Sequence, residues 1–331
     1  MTSILQAHKA FPKRTYPTET HTETHSARQY ILGTSDANGN ATYTFNLGVY
    51  SLSPYGENSS TLVPTDPLCL LTLLSIINRK ETASKFPTID DDISIRYPQG
   101  LPITTTQSTI SILAYNSAID DQLPILVEDN TDSVNHHVTR KIHHTHVINS
   151  LNSSKLSTPD QLTFNLLNTY IFDYFILNML QLNDETLLKY YSLTEYNFPQ
   201  TLQNLAPLTS VLASKIRLHL TKRNDFNIRN PSTHSYYTSL VNPKYSREAF
   251  ISEAARIRSN ATDLLEELNK AYETTKYWGT DDNVPSVIDL QIASYFYAIS
   301  HMASVSNHFA EDTAAFSSLE NLSTTIMDQF V

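Results

Sequence analysis

Five histidines within eleven residues come closest to a site of chemistry in this chain: His136, His137, His143, His144 and His146. Imidazole nitrogens bind zinc and related metals, and on a strand His144 and His146 would share one face. A metal site also needs a matching set of carboxylate or cysteine ligands, and none accompanies the cluster. The sequence therefore favours solvated polar histidines, with a metal site as the alternative.

The chain has one cysteine, Cys69, so a disulfide or a cysteine-rich zinc site within it is excluded. With six glycines it contains neither a G-x-G-x-x-G nor a G-x-x-x-x-G-K motif. A net charge of −10 argues against nucleic acid, because phosphate binding needs a basic field. We predict no catalytic, cofactor-binding or metal-binding residues.

A local reversal of charge follows, carried by five residues: Lys215, Arg217, Lys222, Arg223 and Arg229. Cations suit the C-terminal end of a helix, so a solvated helix end is one interpretation. A docking patch for an acidic partner surface is the other. We expect docking, because Lys222 and Arg223 directly follow an apolar helix that would hold them in place.

The elements that would position these residues change in kind near residue 155. The expected order before that point is β-α-β-β-β-α, with each element short, and after Ser157 the periodicity is helical throughout. The predicted parts are a polar extended arm, a mixed domain and a helical domain, at residues 1–40, 41–155 and 156–331. No stretch has the apolar length of a spanning helix, so any membrane attachment is expected to be peripheral.

Two local signals predict the fold. Pro124 opens a strand, an unusual position that in thioredoxin-like folds holds a cis proline. Ser286 and Asp289 form a capping pair at the start of an apolar helix. Their order predicts an α+β, glutathione-transferase-like fold, with an N-terminal thioredoxin-like domain followed by an all-helical C-terminal domain. A trans proline on an edge strand and an ordinary capped helix are the alternatives.

Glutathione transferases place a Tyr, Ser or Cys where the first strand meets the first helix. This junction holds Tyr50, Ser53 and Tyr55. The transferases also bind the amino group of their thiol peptide with an acid-Ser pair, and His143-His144 stands at the matching place. The carboxylate is therefore missing, which argues against thiol-peptide binding.

Segments in both parts of the chain carry a resemblance to a known family: 47–50, 65–70, 123–128, 220–224 and 290–295. The Leu-Thr-Lys-Arg-Asn and Ile-Ala-Ser-Tyr sequences are the most specific. The chain resembles the metaxin-like peripheral subunits of the fungal mitochondrial sorting and assembly machinery, the SAM complex. The resemblance spans about residues 43–330, and the arm and the loop at 79–107 fit poorly.

This resemblance implies a non-enzymatic subunit, without a cofactor, on the cytosolic face of the mitochondrial outer membrane. The implied partners are the central β-barrel insertase, a second metaxin-like subunit and β-barrel precursors, whose targeting strand is the β-signal. The alternatives are an active glutathione transferase and a cytosolic scaffold module of the same fold.

Overall fold

The structure is a computed structural model that describes most of the chain. The described residues are 28–32, 42–50, 52–55, 62–82, 108–114, 123–131, 138–153, 156–190, 206–238, 247–278, 284–305 and 315–330. They form an α+β structure in which strands precede a helical part.

The N-terminal part contains a five-stranded sheet and a separate two-stranded hairpin. The strands are β1 Arg28–Leu32, β2 Thr42–Val49, β3 Leu52–Pro54, β4 Leu62–Pro64, β5 Ser108–Ala114, β6 Ile125–Thr131 and β7 Val138–His143. The order in the sheet is β1-β5-β2-β6-β7, and β3 pairs with β4. Strands β2 and β5 are parallel, whereas the other neighbours in the sheet are antiparallel. The parallel pair follows from the helical crossover between β2 and β5.

Helix α1, Pro67–Thr82, forms this crossover and is buried along its length from Leu68 to Asn78. Its burial follows from its position, because it lies between the sheet and the helical part. On the sheet, the paired residues Leu47 and Leu126 are also buried, whereas Ile142 on β7 is exposed. The covered face of the sheet is therefore the one that carries Leu47.

The remaining helices are α2 Thr145–Ser153, α3 Thr158–Leu166, α4 Phe172–Gln181, α5 Asp184–Tyr190, α6 Ala206–Lys222, α7 Phe226–Arg229, α8 Pro231–Thr238, α9 Arg247–Tyr272, α10 Val287–Val305 and α11 Ser317–Phe330. A π-helical turn, Leu167–Ile171, joins α3 to α4. Helix α10 packs against both α1 and α11, so it lies in the middle of the core. Among the described residues, no helix is long and apolar enough to cross a membrane.

The sequence prediction missed several elements. Within the expected extended arm, the described residues form strand β1, which pairs with β5. The hairpin β3-β4 and the helices α7 and α8 were also not predicted. These elements are short, and each depends on a partner that is distant in sequence or on a local change of direction. The Leu123–Pro124 peptide bond, whose isomer the sequence left open, is cis and lies directly before β6.

The pair Ser286 and Asp289 caps helix α10 through reciprocal hydrogen bonds. Asp289 Oδ2 accepts from the Ser286 amide at 2.6 Å and from the Ser286 hydroxyl at 2.7 Å, while the Asp289 amide donates to Ser286 Oγ at 3.3 Å. The other carboxylate oxygen of Asp289, Oδ1, accepts from the Tyr272 hydroxyl and from the Trp278 amide. The buried carboxylate thus joins the start of α10 to the end of α9.

We predict that Asp289→Ala lowers the free energy of unfolding by about 0.5–2 kcal/mol, the range for loss of an N-terminal cap. The bonds from Tyr272 and Trp278 are lost as well, so we expect the upper end of this range. The measurement is urea denaturation of the purified chain. Glu266→Ala, which removes an exposed acid from α9, should change the stability by no more than about 0.5 kcal/mol. Equal stability of the two variants would contradict this role of Asp289.

Candidate functional site

A buried ion pair between Asp66 and Arg223 joins the strand-containing part to the helical part. Arg223 Nη1 donates to Asp66 Oδ2 at 2.6 Å, and Nη2 donates to Oδ1 at 3.0 Å. The residues are 1 % and 3 % exposed. Oδ1 also accepts from the amides of Leu68 and Cys69 at the start of α1. The carboxylate therefore caps a helix and binds a guanidinium at the same time.

Aromatic rings complete the surroundings of Arg223. Its guanidinium carbon lies 4.5 Å from the centre of the Tyr50 ring and 5.3 Å from that of Phe172. The Tyr50 hydroxyl accepts from the Leu123 amide and contacts His219 Nε2, each at 2.9 Å. Burial raises the pKa of Tyr50 more than the positive charge of Arg223 lowers it, so the hydroxyl stays protonated.

The sequence neighbours of Arg223, at the end of α6, contact the other helices of the core. Thr221 Oγ1 contacts His234 Nδ1 at 2.8 Å, and Asn224 Nδ2 donates to the Asn168 carbonyl at 2.7 Å. Asn224 and Asp225 both have left-handed backbone angles, with φ of 47° and 56°. Asn and Asp tolerate this conformation better than other non-glycine residues. The Leu-Thr-Lys-Arg-Asn sequence thus connects the strand-containing part of the chain to the helical core.

A cavity of about 240 Å³ lies beside Arg223. Its walls come from α1, α2, the loop before Pro124 and the turn after α6, and consist of Leu68, Leu123, Thr145, Asn149, Lys222, Arg223, Asn224 and Asp225. The Thr145 hydroxyl donates to the Pro124 carbonyl at 3.2 Å. The hydroxyl, amide and charged groups among these residues can offer polar contacts to a ligand or to a partner's side chain.

The structure separates the five predicted docking residues by residue type. Each of the three arginines forms an ion pair within the chain: Arg217 with Asp184, Arg223 with Asp66 and Arg229 with Asp173. Lys215 and Lys222 are exposed.

The expectation that Lys222 and Arg223 form one docking surface needs correction, because only Lys222 faces solvent. Arg223 points inward, and its charge is balanced by Asp66. The sequence gave no sign of this pair, because Asp66 lies 157 residues from Arg223 along the chain.

Helix α6 carries a different exposed surface. Val211, Lys215, Leu218 and Lys222 are all exposed and are spaced by four, three and four residues, so they share one helix face. We call these four residues the α6 stripe. The two apolar members were missed in the sequence, although their spacing with the lysines was a readable signal.

The remaining candidates are the histidine cluster, Cys69 and the polar residues near the start of α1. Strand β7 ends at His143 and α2 begins at Thr145, so the strand face proposed for His144 and His146 does not form. His136 and His137 lie outside the described residues. Burial raises the pKa of the Cys69 thiol, which disfavours the reactive thiolate. The Tyr55 hydroxyl donates to Asp328 on α11, and Ser53 contacts the neighbouring Pro54 carbonyl.

Comparison with known families bears directly on the N-terminal part that supplies Tyr50 and Asp66. Residues 2–128 match the model of a family described as SAM35, a subunit of the SAM complex. The resemblance to a metaxin-like SAM subunit is confirmed. The SAM35 match includes the arm and the loop at 79–107, which the sequence resemblance did not cover, and it ends before the segments at 220–224 and 290–295. No curated protein matches the chain.

We predict that Arg223→Met lowers the free energy of unfolding by about 3–5 kcal/mol, because it leaves the Asp66 carboxylate buried without its cation. Lys222→Met is the matched control: its side chain is exposed, and the expected change is within about 0.5 kcal/mol. Chemical denaturation of both purified variants gives the comparison.

The double variant Asp66→Asn/Arg223→Met should recover part of the loss, because it removes the buried charge while Asn still caps α1. If Arg223→Met were as stable as Lys222→Met, the ion pair would not hold the two parts together.

Proposed function

We propose that this chain is a non-enzymatic subunit of the SAM complex of the mitochondrial outer membrane and that it supports the insertion of β-barrel proteins. The match of residues 2–128 to the SAM35 family carries this proposal. The cavity beside Arg223 is consistent with the proposal, because polar side chains such as Asn149 and Lys222 line it and could bind a partner's side chain.

The fold we propose for this role is glutathione-transferase-like. Three observations support it: the β2-α1-β5 crossover with β6 and β7 added antiparallel, the cis bond before Pro124, and the capped central helix α10 in an all-helical part. The proposed boundary between a thioredoxin-like domain and a helical domain lies at about residue 155, between α2 and α3.

The proposed docking surface is the α6 stripe together with the rim of the cavity at Lys222. Two exposed apolar side chains that alternate with two lysines suit a partner surface that carries both acidic and apolar groups. The proposed partners are the central β-barrel subunit, a second metaxin-like subunit and, through the β-signal, β-barrel precursors. In this proposal the chain attaches peripherally to the cytosolic face of the membrane.

We predict that Lys215→Glu/Lys222→Glu lowers the amount of assembled SAM complex by about tenfold or more, since like charges would then meet across the contact. Native electrophoresis of solubilised mitochondria measures the assembled form. Lys270→Glu/Lys276→Glu, which reverses two exposed lysines elsewhere, is the control. Normal assembly of the stripe variant at normal chain abundance would exclude the stripe as the docking surface.

Fractionation tests the alternative of a cytosolic scaffold module. We expect the chain in the mitochondrial fraction, with alkaline extraction releasing at least part of it, because a peripheral subunit is held by contacts that high pH disrupts. Recovery in the cytosol alone would favour the scaffold module. Retention on immobilised glutathione together with turnover of a chlorinated aromatic substrate would favour the transferase.

A further inference from the structure

The cavity beside Arg223 has three polar side chains in its lining that the fold does not use. They are Asn149 on α2, Lys222 at the end of α6 and Asp225 directly before α7. Within the residues that the structure describes, none of the three forms an ion pair or a side-chain hydrogen bond. The other polar lining residues are bonded within the chain: Arg223 to Asp66, Asn224 to the Asn168 carbonyl and Thr145 to the Pro124 carbonyl.

The charges that remain at the cavity are of opposite sign. Asp66 balances Arg223, which leaves the exposed ammonium group of Lys222 and the exposed carboxylate of Asp225. A ligand with a net charge would be attracted by one of these groups and repelled by the other. The lining therefore favours a ligand that is neutral and has both hydrogen-bond donors and acceptors.

The peptide group has this chemistry. Each residue other than proline carries one N–H donor and one carbonyl acceptor on its main chain. A lysine only donates, an ionised aspartate only accepts, and the carboxamide of an asparagine does both. Lys222, Asp225 and Asn149 together can thus bind the carbonyls and amides of a peptide.

The size of the cavity limits the length and the conformation of such a peptide. Its volume of about 240 Å³ is below the roughly 300–1,000 Å³ of pockets for drug-sized ligands, so it has room for a short piece of chain. The buried side chains of Leu68 and Leu123 complete the lining with apolar surface. A helix uses its main-chain groups internally, so a segment that offers them to the cavity must be extended.

The position of Lys222 indicates where this segment comes from. Lys222 is the last residue of the α6 stripe and also lines the cavity. A partner seated on the stripe therefore lies next to the opening, and its chain can enter the cavity without a second docking surface.

We propose that the cavity binds a short extended segment of the SAM subunit that docks on the α6 stripe, and that it binds this segment through the main chain. Lys222 donates to a main-chain carbonyl, Asp225 accepts from a main-chain amide, and Asn149 does both. The inference rests on the docking surface proposed above and adds to it the kind of group that is recognised there.

The first test fills the cavity in the full chain. Asn149→Trp should lower the amount of assembled SAM complex about fivefold or more, measured by native electrophoresis of solubilised mitochondria. Asn321→Trp, the same change at an exposed position on α11, is the matched control. Normal assembly of Asn149→Trp at normal chain abundance would overturn the proposal. If Asn149→Trp does not accumulate, Asp225→Asn replaces it with the same expectation of reduced assembly, because Asn tolerates the left-handed backbone of this position.

The second test uses overlapping synthetic peptides that cover the other SAM subunits. They are titrated into the purified 331-residue chain and followed by fluorescence anisotropy. We expect one of them to bind, and Lys222→Met and Asp225→Asn each to weaken its binding about threefold or more. An acidic side chain in the cavity would bind more tightly to Asp225→Asn, and this result would overturn the proposal. So would binding by none of these peptides, or binding only by the last strand of a β-barrel precursor.

The third test separates main-chain from side-chain recognition. Methylation of one main-chain nitrogen in the bound part of the peptide should weaken binding about tenfold, whereas alanine at the same residue should change it less than about twofold. The reverse result would assign the cavity to a side chain. If Asn149→Trp assembles normally while Lys215→Glu/Lys222→Glu does not, this inference fails and the proposed function stands.

Discussion

The ion pair between Asp66 and Arg223 is the contact on which the arrangement of the two parts depends. Removing two charges from water is costly, and the attraction between them offsets this cost only when their remaining hydrogen-bonding groups are satisfied. Here Asp66 also accepts from two amides of α1, and Arg223 lies against the rings of Tyr50 and Phe172. The pair therefore fixes the orientation of α1 relative to the end of α6.

From this pair a chain of polar contacts continues into the helical core. Asn224 binds the carbonyl of Asn168, whose side-chain oxygen accepts from Gln291 and from the Tyr295 hydroxyl, both on α10. Buried polar groups are costly when unpaired, so such a chain disfavours alternative packings of these helices. A rigid core of this kind can hold surface residues, such as the α6 stripe, at fixed positions for a partner.

How much of this was readable from the sequence depended on the distance between partners. The cap of α10 was predictable, because Ser286 and Asp289 are three residues apart and helical geometry brings them together. The same holds for the helical periodicity after Ser157, which depends on residues three and four apart. The partner of Arg223 was not predictable, since it lies 157 residues away and only the packed fold selects it. Strand β1 was missed for the same reason, because β5 supplies its pairing.

Residue type, more than position, separates the inner from the outer residues of the basic stretch. Arginine has a planar fork of donors that matches a carboxylate, and it is less strongly hydrated than an ammonium group, so it suits a buried pair. Lysine is a compact and strongly hydrated charge, which suits an exposed site. Arg217, Arg223 and Arg229 are paired with aspartates, whereas Lys215 and Lys222 remain exposed. The positive field that a partner meets on α6 therefore comes from the lysines, although the arginines are more numerous in the stretch.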